Sequence, residues 1–491
     1  MFRKQLVQAA LKSTRLPVRK GSGTRHISSS YVRSNATPLS SQVDRVARDA
    51  PFDRTGSSSK GHQPSSKLDG QSDSRHGPLD SMKSSSEHGI LLAKHPLPRF
   101  DADDVDHLSL RFEDGSLNIL DQRESQWTKI PGRWLRDNCA CSQCRNGDTA
   151  QRQINVLKGT LDCSVRICEI GNGRDGSVMV TFGDGHQSEF STQSLLRRRS
   201  DGVTKGRYGL TTIKPWTADI ASSRPSVPYT EMSTDAGMGT LLHRIRTYGF
   251  CIIEDLPATP EATEAILESI GPIRNTHYGG FYDFTSDLSS KDTAYTSESL
   301  EPHTDNTYFT EPAGLQALHM LSHTDGSGGE SSLVDGFNAA LQLYNTDPEA
   351  YRTLSNTGVY AHASGNEGIS IQPAQAFPTL SHDSEQGYLT QVRWNNADRA
   401  GIAADFADVD RWYDAAAKFD ALLNDPKNVY WFQLKPGQLL LFDNWRVLHG
   451  RAAFTGKRRM CGGYINRDDF ISRYRATNLS EEEVRLATVT G

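Results

Sequence analysis

The sequence predicts a mainly β fold with helices, of the α+β class, and three observations support this. Short apolar or alternating runs are separated by turns rich in Gly, Asp and Asn, as in barrels and jelly rolls. Helical patterns, such as that over residues 408–424, lie between these runs. The length of 491 residues exceeds one ordinary domain and suggests roughly three units of about 150 residues.

Composition argues against several classes of protein. Hydrophobic residues make up 36% of the chain and the mean hydropathy is −0.57, with no run near the ~20 apolar residues that a membrane helix needs. The net charge of −5 lacks the basic excess of nucleic-acid-binding domains. Seven unevenly placed cysteines are too few for a disulfide scaffold. We therefore expect neither a membrane protein nor a nucleic-acid-binding protein.

The first hundred residues differ in composition from the rest. Residues 1–43 contain eight Lys or Arg and eight Ser but no acidic residue, and a short helix there could present apolar and basic faces. This composition is typical of a mitochondrial transit peptide and lacks the apolar core of a secretory signal, although a disordered basic arm has it too. Residues 44–100 are rich in Ser and poor in apolar residues, which predicts a disordered linker.

Residues 104–215 predict a small β-rich domain. Leu108, Leu110 and Phe112 alternate with polar residues, a Glu-Asp-Gly-Ser turn follows, and the alternation then resumes. A second alternating run over residues 178–182 ends at the Gly-Asp-Gly turn of residues 183–185. Both patterns are typical of β-hairpins.

A cluster of thiols lies between these hairpins: Cys139, Cys141 and Cys144. So short a loop has poor geometry for disulfides and a mitochondrial matrix is reducing, which favours metal binding over three unrelated thiols. A Zn²⁺ ion needs four ligands. The best fourth is His186, directly after the second hairpin turn, with Cys163 and Cys168 as competitors. Such a site has no obvious open position and would be structural.

Residues 225–491 predict the larger domain. A helix that includes Leu242 and Ile245 leads into a buried strand at residues 249–253. Further strands are predicted at residues 332–334, 388–394, 438–442 and 460–465. Many short strands with helices between them favour a double-sheet jelly roll, or double-stranded β-helix.

Two segments of this domain carry metal-ligand side chains. His303 and Asp305 are two residues apart, which places them on the same side of an extended strand. His449 follows a strongly apolar strand and could complete two His and one carboxylate, the arrangement of non-haem Fe(II) oxygenases. A His-x-Asp pair alone is weak evidence. It gains weight from Arg458, whose guanidinium could bind a dicarboxylate in the same barrel, and from the Ser331 hydroxyl.

Whole motifs then indicate a family. The segments HTDNTYF, GGESSLVDGFN, LLLFDNWRVLHGR and GGYINRDD resemble the Fe(II)- and 2-oxoglutarate-dependent dioxygenases of carnitine synthesis, the γ-butyrobetaine and trimethyllysine dioxygenases. WLRDNCACSQC and DGHQSEF are similar to the zinc-binding N-terminal domain of these enzymes. The likeness runs in family order from about residue 104 to 480. HTDNTYFTEP and the NRDD after Tyr464 are more similar to the trimethyllysine branch.

The resemblance implies a set of site residues. The iron ligands would be His303, Asp305 and His449. The zinc ligands would be Cys139, Cys141, Cys144 and His186. Arg458 and Ser331 would bind the far carboxylate of 2-oxoglutarate; many relatives have Thr in place of Ser331. Arg458 and Tyr464, six residues apart, share one face of a strand, whereas Arg459 points away.

The resemblance also implies an aromatic cage for a quaternary ammonium group, which has no N–H to donate. Its members would be Tyr278, Tyr282, Asp292, Tyr295 and Tyr464, with Tyr282 standing where relatives often have Trp. Candidates for the amino-acid end of the substrate are Asn306, Asn395 and Asn396.

The implied reaction is hydroxylation of N6,N6,N6-trimethyllysine to its 3-hydroxy derivative, coupled to conversion of 2-oxoglutarate and O₂ into succinate and CO₂, with ascorbate as supporting reductant. The resemblance further implies a homodimer in the mitochondrial matrix. γ-Butyrobetaine hydroxylation is the nearest alternative. A betaine- or methyl-lysine-binding protein on an inactive oxygenase fold is disfavoured, because all iron-ligand candidates and Arg458 are present. A metal-dependent hydrolase would need a general base beside an open zinc site, and the Cys cluster has none nearby.

Overall fold

The computed structural model describes residues 108–122, 126–171, 177–192, 195, 213–285, 297–364, 368–383, 387–481 and 483–484. The predicted transit peptide and linker lie outside these residues, as do Asp292 and Tyr295. Among the described helices, none is long and apolar enough to cross a membrane.

The first folded unit consists of two three-stranded antiparallel sheets, β1-β2-β3 and β4-β5-β6. Its elements are β1 (Leu108–Glu113), β2 (Ser116–Asp121), β3 (Gln126–Pro131), α1 (Gly132–Asp137), β4 (Val165–Gly171), β5 (Ser177–Phe182) and β6 (Gln187–Ser191). Asp114 and Gly115 both have positive φ, 48° and 69°, which gives the two-residue turn that suits the twist of a hairpin. Leu117, Ile119 and Val178 are fully buried in the core of this unit.

The larger unit contains seventeen strands and six α-helices among the described residues. Its strands are β7 (Ser226–Pro228), β8 (Phe250–Glu254), β9 (Tyr282–Thr285), β10 (Leu300–His303), β11 (Leu315–Thr324), β12 (Ser331–Asp335), β13 (Gly358–Ala361), β14 (Ala363–Ser364), β15 (Ser370–Ile371), β16 (Phe377–Pro378), β17 (Leu380–His382), β18 (Leu389–Val392), β19 (Arg399–Ala403), β20 (Val429–Phe432), β21 (Leu439–Asp443), β22 (Val447–Arg451) and β23 (Lys457–Ile465). Its helices are α2 (Asp235–Tyr248), α3 (Pro260–Ile270), α4 (Gly336–Thr346), α5 (Pro348–Asn356), α6 (Phe406–Leu423) and α7 (Arg467–Asn478).

Two sheets dominate this unit. One has six strands in the order β7-β8-β21-β11-β23-β9, and the other has four in the order β10-β22-β12-β20. Strands that follow one another along the chain, such as β10, β11 and β12, alternate between the two sheets. This exchange is the strand order of a double-stranded β-helix. The mainly β fold with helices that the sequence predicts is therefore confirmed.

Local signals explain where the helices begin and end. The Thr234 hydroxyl accepts a hydrogen bond from the Gly237 N–H at 3.0 Å and caps α2. Gly249, with φ of 84°, ends that helix in the left-handed conformation that lets the chain turn into β8. The Asp335 carboxylate caps α4 and also pairs with the fully buried guanidinium of Arg446 at 2.7 Å. This pair ties the start of α4 to the start of β22, the strand that carries His449.

Candidate metal centres

The two predicted iron-ligand histidines face each other across a strand pair. His303 is the last residue of β10, and it is paired in register with His449 of β22. Their ring centroids are 4.2 Å apart. The spacing of the two imidazoles is thus set by antiparallel main-chain pairing, which brings directly opposite side chains to roughly this distance.

Asp305 lies close to both histidines, although it is not on a strand as the sequence predicts. We expected it on the same strand as His303, but the strand ends at His303 and Asp305 lies in a turn. The Thr304 N–H donates to the Trp394 carbonyl at 2.7 Å, and Asn306 has a φ of 63°, so the chain leaves the sheet here. The turn places Asp305 Oδ1 3.3 Å from His303 Nε2 and 4.0 Å from His449 Nε2.

Neighbouring groups orient the three side chains. His303 Nδ1 lies 2.8 Å from the Glu301 carbonyl, an acceptor that requires the proton on Nδ1 and leaves Nε2 free to bind a metal. The Tyr464 hydroxyl donates to Asp305 Oδ2 at 2.7 Å. Burial and the charge of Asp305 raise the pKa of Tyr464 well above its ordinary value, so this hydroxyl keeps its proton.

Burial and charge shift the pKa values of the three residues. Burial disfavours the Asp305 carboxylate, but both histidines and Tyr464 outweigh it and bring its pKa well below the usual range. Burial also disfavours the imidazolium of His303, yet Asp305 outweighs it and raises the pKa. Burial and the nearby His303 lower the pKa of His449 to about 3. The ionised carboxylate and neutral His449 are in the protonation states that a metal requires.

These residues fit an iron ion. Their three ligand atoms lie within 4.8 Å of one another, and two imidazoles with one carboxylate on one side of a metal are the donor set of non-haem Fe(II) oxygenases.

Arg458 has the environment expected of an anion-binding group. It is only 1% exposed, and its Nε and Nη1 have no hydrogen-bond partner among the described residues. Burial lowers its pKa to about 10. The side chain packs over Phe454 at 4.9 Å, and Gly329 leaves space beside it, since a Cβ there would lie 3.0 Å from Nη1. A buried guanidinium with unsatisfied N–H groups is costly unless an anion completes it.

Ser331 and Arg459 lie on strands of different sheets. Ser331 is the first residue of β12 and pairs with Arg451 of β22. Arg459 lies on the outside of β23, where it pairs with Asp283 at 2.5 Å.

Part of the predicted aromatic cage lies beside Asp305. The rings of Tyr282 and Tyr464 are 5.9 Å apart and inclined at 62°. The ring of Tyr278 lies 3.9 Å from that of His277, inclined at 40°. Asp292 and Tyr295 are outside the described residues.

Sequence reasoning missed Tyr308, which is 4% exposed and hydrogen-bonded to Tyr278. Burial and the Asp305 charge raise its pKa. Its place three residues after Asp305 in the HTDNTYF motif was the available signal. Among the three candidate amides, Asn306 has a buried Oδ1 with no partner in the described structure. Asn395 instead bonds to Asp398 at 2.8 Å, and Asn396 accepts from Arg399 at 3.2 Å.

The second cluster lies in the first folded unit. His186 Nε2 is 3.3, 3.6 and 3.4 Å from the sulfurs of Cys139, Cys141 and Cys144. Zn–N and Zn–S bonds of about 2.0 and 2.3 Å in a tetrahedron place nitrogen and sulfur about 3.5 Å apart, so this cluster fits Zn²⁺. Burial lowers the pKa of His186, which keeps the imidazole neutral as a ligand. Cys163 and Cys168 do not belong to the cluster.

Arg136 adds a charge to this cluster. Its Nη1 lies 2.8 Å from Cys144 Sγ and its Nε 3.3 Å from Asp184 Oδ2. Burial raises the pKa of the Cys144 thiol, and the guanidinium opposes that effect by stabilising the thiolate.

Comparison with known proteins places these sites in a family. The model described as "Taurine catabolism dioxygenase TauD, TfdA family" matches residues 212–464, and "Gamma-butyrobetaine hydroxylase-like, N-terminal" matches residues 103–196. Trimethyllysine dioxygenase of Neurospora crassa is 42% identical over 402 residues, which cover 74% of this chain and 83% of the relative. The mitochondrial trimethyllysine dioxygenase of Homo sapiens is 37% identical, and the match covers 70% of this chain and 82% of the human chain.

The γ-butyrobetaine dioxygenase of Pongo abelii is more distant, with 27% identity over 72% of this chain and 92% of its own. The extent and identity of these matches show that the chain belongs to the trimethyllysine dioxygenase family, within the TauD and TfdA dioxygenases.

Proposed function

We propose that the protein hydroxylates N6,N6,N6-trimethyllysine to 3-hydroxy-trimethyllysine, the first step of carnitine synthesis. One oxygen atom of O₂ enters the substrate C–H bond, and the other enters the succinate that forms as 2-oxoglutarate loses CO₂. The observation that carries the proposal is the cluster of His303, Asp305 and His449 in a chain that is 42% identical to a trimethyllysine dioxygenase.

In this proposal His303, Asp305 and His449 hold Fe(II), which when bound supplies the activation of O₂. Arg458 binds the far carboxylate of 2-oxoglutarate through the N–H groups that lack partners within the described chain, and the Ser331 hydroxyl assists it. Ascorbate keeps the iron reduced. The contribution of the side chains is to orient both reactants, since correct placement removes much of the barrier.

The substrate cation lies against aromatic faces. Tyr278, Tyr282 and Tyr464 form this surface and Tyr308 supports Tyr278; Asp292 and Tyr295, outside the described residues, are the further members that the family resemblance implies. An alkylated ammonium is held by ring faces and negative charge, at about 0.5–2 kcal/mol for each good contact. Asn306 is the best amide for the amino-acid end, because its buried Oδ1 has no partner in the described structure.

The remaining features have supporting roles. Cys139, Cys141, Cys144 and His186 hold a structural Zn²⁺ in a domain over residues 104–215, and residues 225–491 form the catalytic domain. Residues 1–43 direct the protein to the mitochondrial matrix and residues 44–100 link this peptide to the folded part. The vertebrate relatives named mitochondrial support this location. The family resemblance supports a homodimer.

A side-by-side mass-spectrometric assay tests the activity. Purified protein receives Fe(II), ascorbate and 2-oxoglutarate with either trimethyllysine or γ-butyrobetaine. We expect trimethyllysine to gain one oxygen atom with equimolar succinate, and His303→Ala to abolish both products. Preferential hydroxylation of γ-butyrobetaine would move the assignment to that activity. Binding of trimethyllysine without succinate formation, by protein loaded with iron, would indicate an inactive binding protein.

A further inference from the structure

One tyrosine contacts both the candidate metal centre and the aromatic cage. The Tyr464 hydroxyl donates to Asp305 Oδ2 at 2.7 Å, while its ring lies 5.9 Å from that of Tyr282. Tyr464 is on β23 in the six-stranded sheet, whereas His303 and His449 are on strands of the four-stranded sheet. The hydrogen bond therefore joins the six-stranded sheet to the turn that follows β10 of the four-stranded sheet.

The two oxygens of Asp305 have different neighbours. Oδ1 faces the Nε2 atoms of His303 and His449, at 3.3 and 4.0 Å. Oδ2 is occupied by Tyr464. A carboxylate held in this way presents one oxygen to a metal and keeps the other out of the coordination shell. Without the hydroxyl the group could rotate or offer both oxygens, which would take a position that the cosubstrate or O₂ needs.

Tyr282 provides a matched comparison within the same aromatic pair. Its hydroxyl also donates a hydrogen bond, but to the main-chain carbonyl of Ala317 at 2.7 Å. Both residues therefore combine an aromatic face with a satisfied hydroxyl, and only Tyr464 directs that hydroxyl at a metal ligand. Removal of each hydroxyl separates the effect on the metal from the general effect of losing a buried hydrogen bond.

We propose that Tyr464 is a positioning residue: its hydroxyl holds Asp305 as a one-oxygen metal ligand while its ring forms part of the cation site, so that one side chain joins substrate binding to the metal centre. The link to the substrate rests on the proposed function, whereas the action on Asp305 does not. Hydrogen bonds to metal ligands commonly change metal affinity or activity about 10- to 100-fold.

Metal titration tests the action on Asp305 without substrate. Iron-free protein that keeps zinc at the Cys139, Cys141, Cys144 and His186 cluster is titrated with Co(II) as the wild type and as the Tyr464→Phe and Tyr282→Phe variants, and binding is measured calorimetrically. We expect roughly 10-fold weaker binding for Tyr464→Phe and a change within about twofold for Tyr282→Phe. Equal affinities for all three proteins would overturn the proposal, and so would equal weakening in both variants. Thermal melting of each iron-free, zinc-loaded protein checks that it is folded.

The joint role is tested by the ratio of succinate to hydroxylated product. With Tyr464→Phe we expect more succinate per hydroxylation than in the wild type, because cosubstrate turnover is no longer tied to a fixed Asp305. An unchanged ratio would overturn the joint role. Tyr464→Leu removes the ring as well, and it should add weaker trimethyllysine binding to the metal effect. If the wild type did not hydroxylate trimethyllysine, the proposed function would fail while the Co(II) titration still decided the role of Tyr464.

Discussion

The side-chain amide of Asn444 forms hydrogen bonds with both the main-chain N–H and the main-chain carbonyl of Asp305. Asn444 Oδ1 accepts the Asp305 N–H at 2.8 Å, and Asn444 Nδ2 donates to the Asp305 carbonyl at 2.9 Å. The same Nδ2 donates to the Ala313 carbonyl at 3.1 Å. Asn444 lies between β21 and β22, so one amide fixes the turn that carries the carboxylate relative to the strand that carries His449.

We expect Asn444→Ala to destabilise the protein and weaken its metal binding. The buried Asn444 side chain makes three hydrogen bonds, which at about 1 kcal/mol each predict a loss of about 3 kcal/mol in the free energy of unfolding. Denaturant titration measures this loss, and Co(II) calorimetry on iron-free protein that keeps its zinc measures the affinity of the His303, Asp305 and His449 site. The control is Asn424→Ala at the exposed end of α6, which should change stability by less than about 1 kcal/mol. If Asn444→Ala bound Co(II) with wild-type affinity, the inference that Asn444 fixes Asp305 for metal binding would be wrong.

Arg458 should favour function at the expense of stability. Its unsatisfied N–H groups predict that Arg458→Met raises the free energy of unfolding of the cosubstrate-free protein by about 1 kcal/mol. The same variant should bind 2-oxoglutarate at least roughly 10-fold more weakly, because charge-assisted hydrogen bonds are lost. Thermal melting and calorimetry report the two effects. Arg459→Met, on the outer face of β23, should leave 2-oxoglutarate binding unchanged. An equal loss of affinity in Arg459→Met would indicate that the overall positive charge, and not a specific site at Arg458, binds 2-oxoglutarate.

The zinc ligands can be separated from the other cysteines by metal analysis. We expect one zinc ion per chain, lost in Cys144→Ser and retained in Cys163→Ser and Cys168→Ser. Loss of the ion should also lower the melting temperature, because structural zinc contributes directly to folding. Retention of zinc by Cys144→Ser would exclude this cysteine as a ligand.

His319 predicts a dependence of stability on pH. It is fully buried, its Nδ1 lies 2.6 Å from the Thr263 hydroxyl, and burial lowers its pKa to about 4, against about 6.5 in an unfolded chain. The unfolded state therefore binds more protons between these values. Stability is complete above pH ~6.5 and falls as the pH drops towards ~4, by up to about 3 kcal/mol.

The variant His319→Gln should flatten this slope in denaturant titrations between pH ~6.5 and ~4. His323→Gln, on the same strand but less buried, is the control. If the free energy of unfolding fell equally steeply with pH in the wild type and in His319→Gln, another titrating group would be responsible for the loss of stability.

The sequence predicts best what is encoded locally. The Asp114-Gly115 hairpin turn and the end of α2 at Gly249 follow from residues that tolerate positive φ. His303 and His449 were predicted from the His-x-Asp spacing and from the position of His449 after an apolar strand, and the family motifs supported both. The turn at Asp305 was not predicted, because its geometry depends on Asn444 and Trp394, which are remote in sequence. The link from Tyr464 to Asp305 was missed for the same reason, since it spans 159 positions.

The register that sets His303 against His449 also bears on how such enzymes diversify. Main-chain pairing between β10 and β22 sets the spacing of the two histidines in the metal centre. Loop sequences away from the Asp305 turn and from Asn444 can therefore drift, lengthen or be exchanged, and thereby reshape substrate selection, while the two histidines keep their spacing. For enzyme engineering, these outer loops are the places to randomise, whereas the strand pair, the Asp305 turn and Asn444 are the places to leave alone.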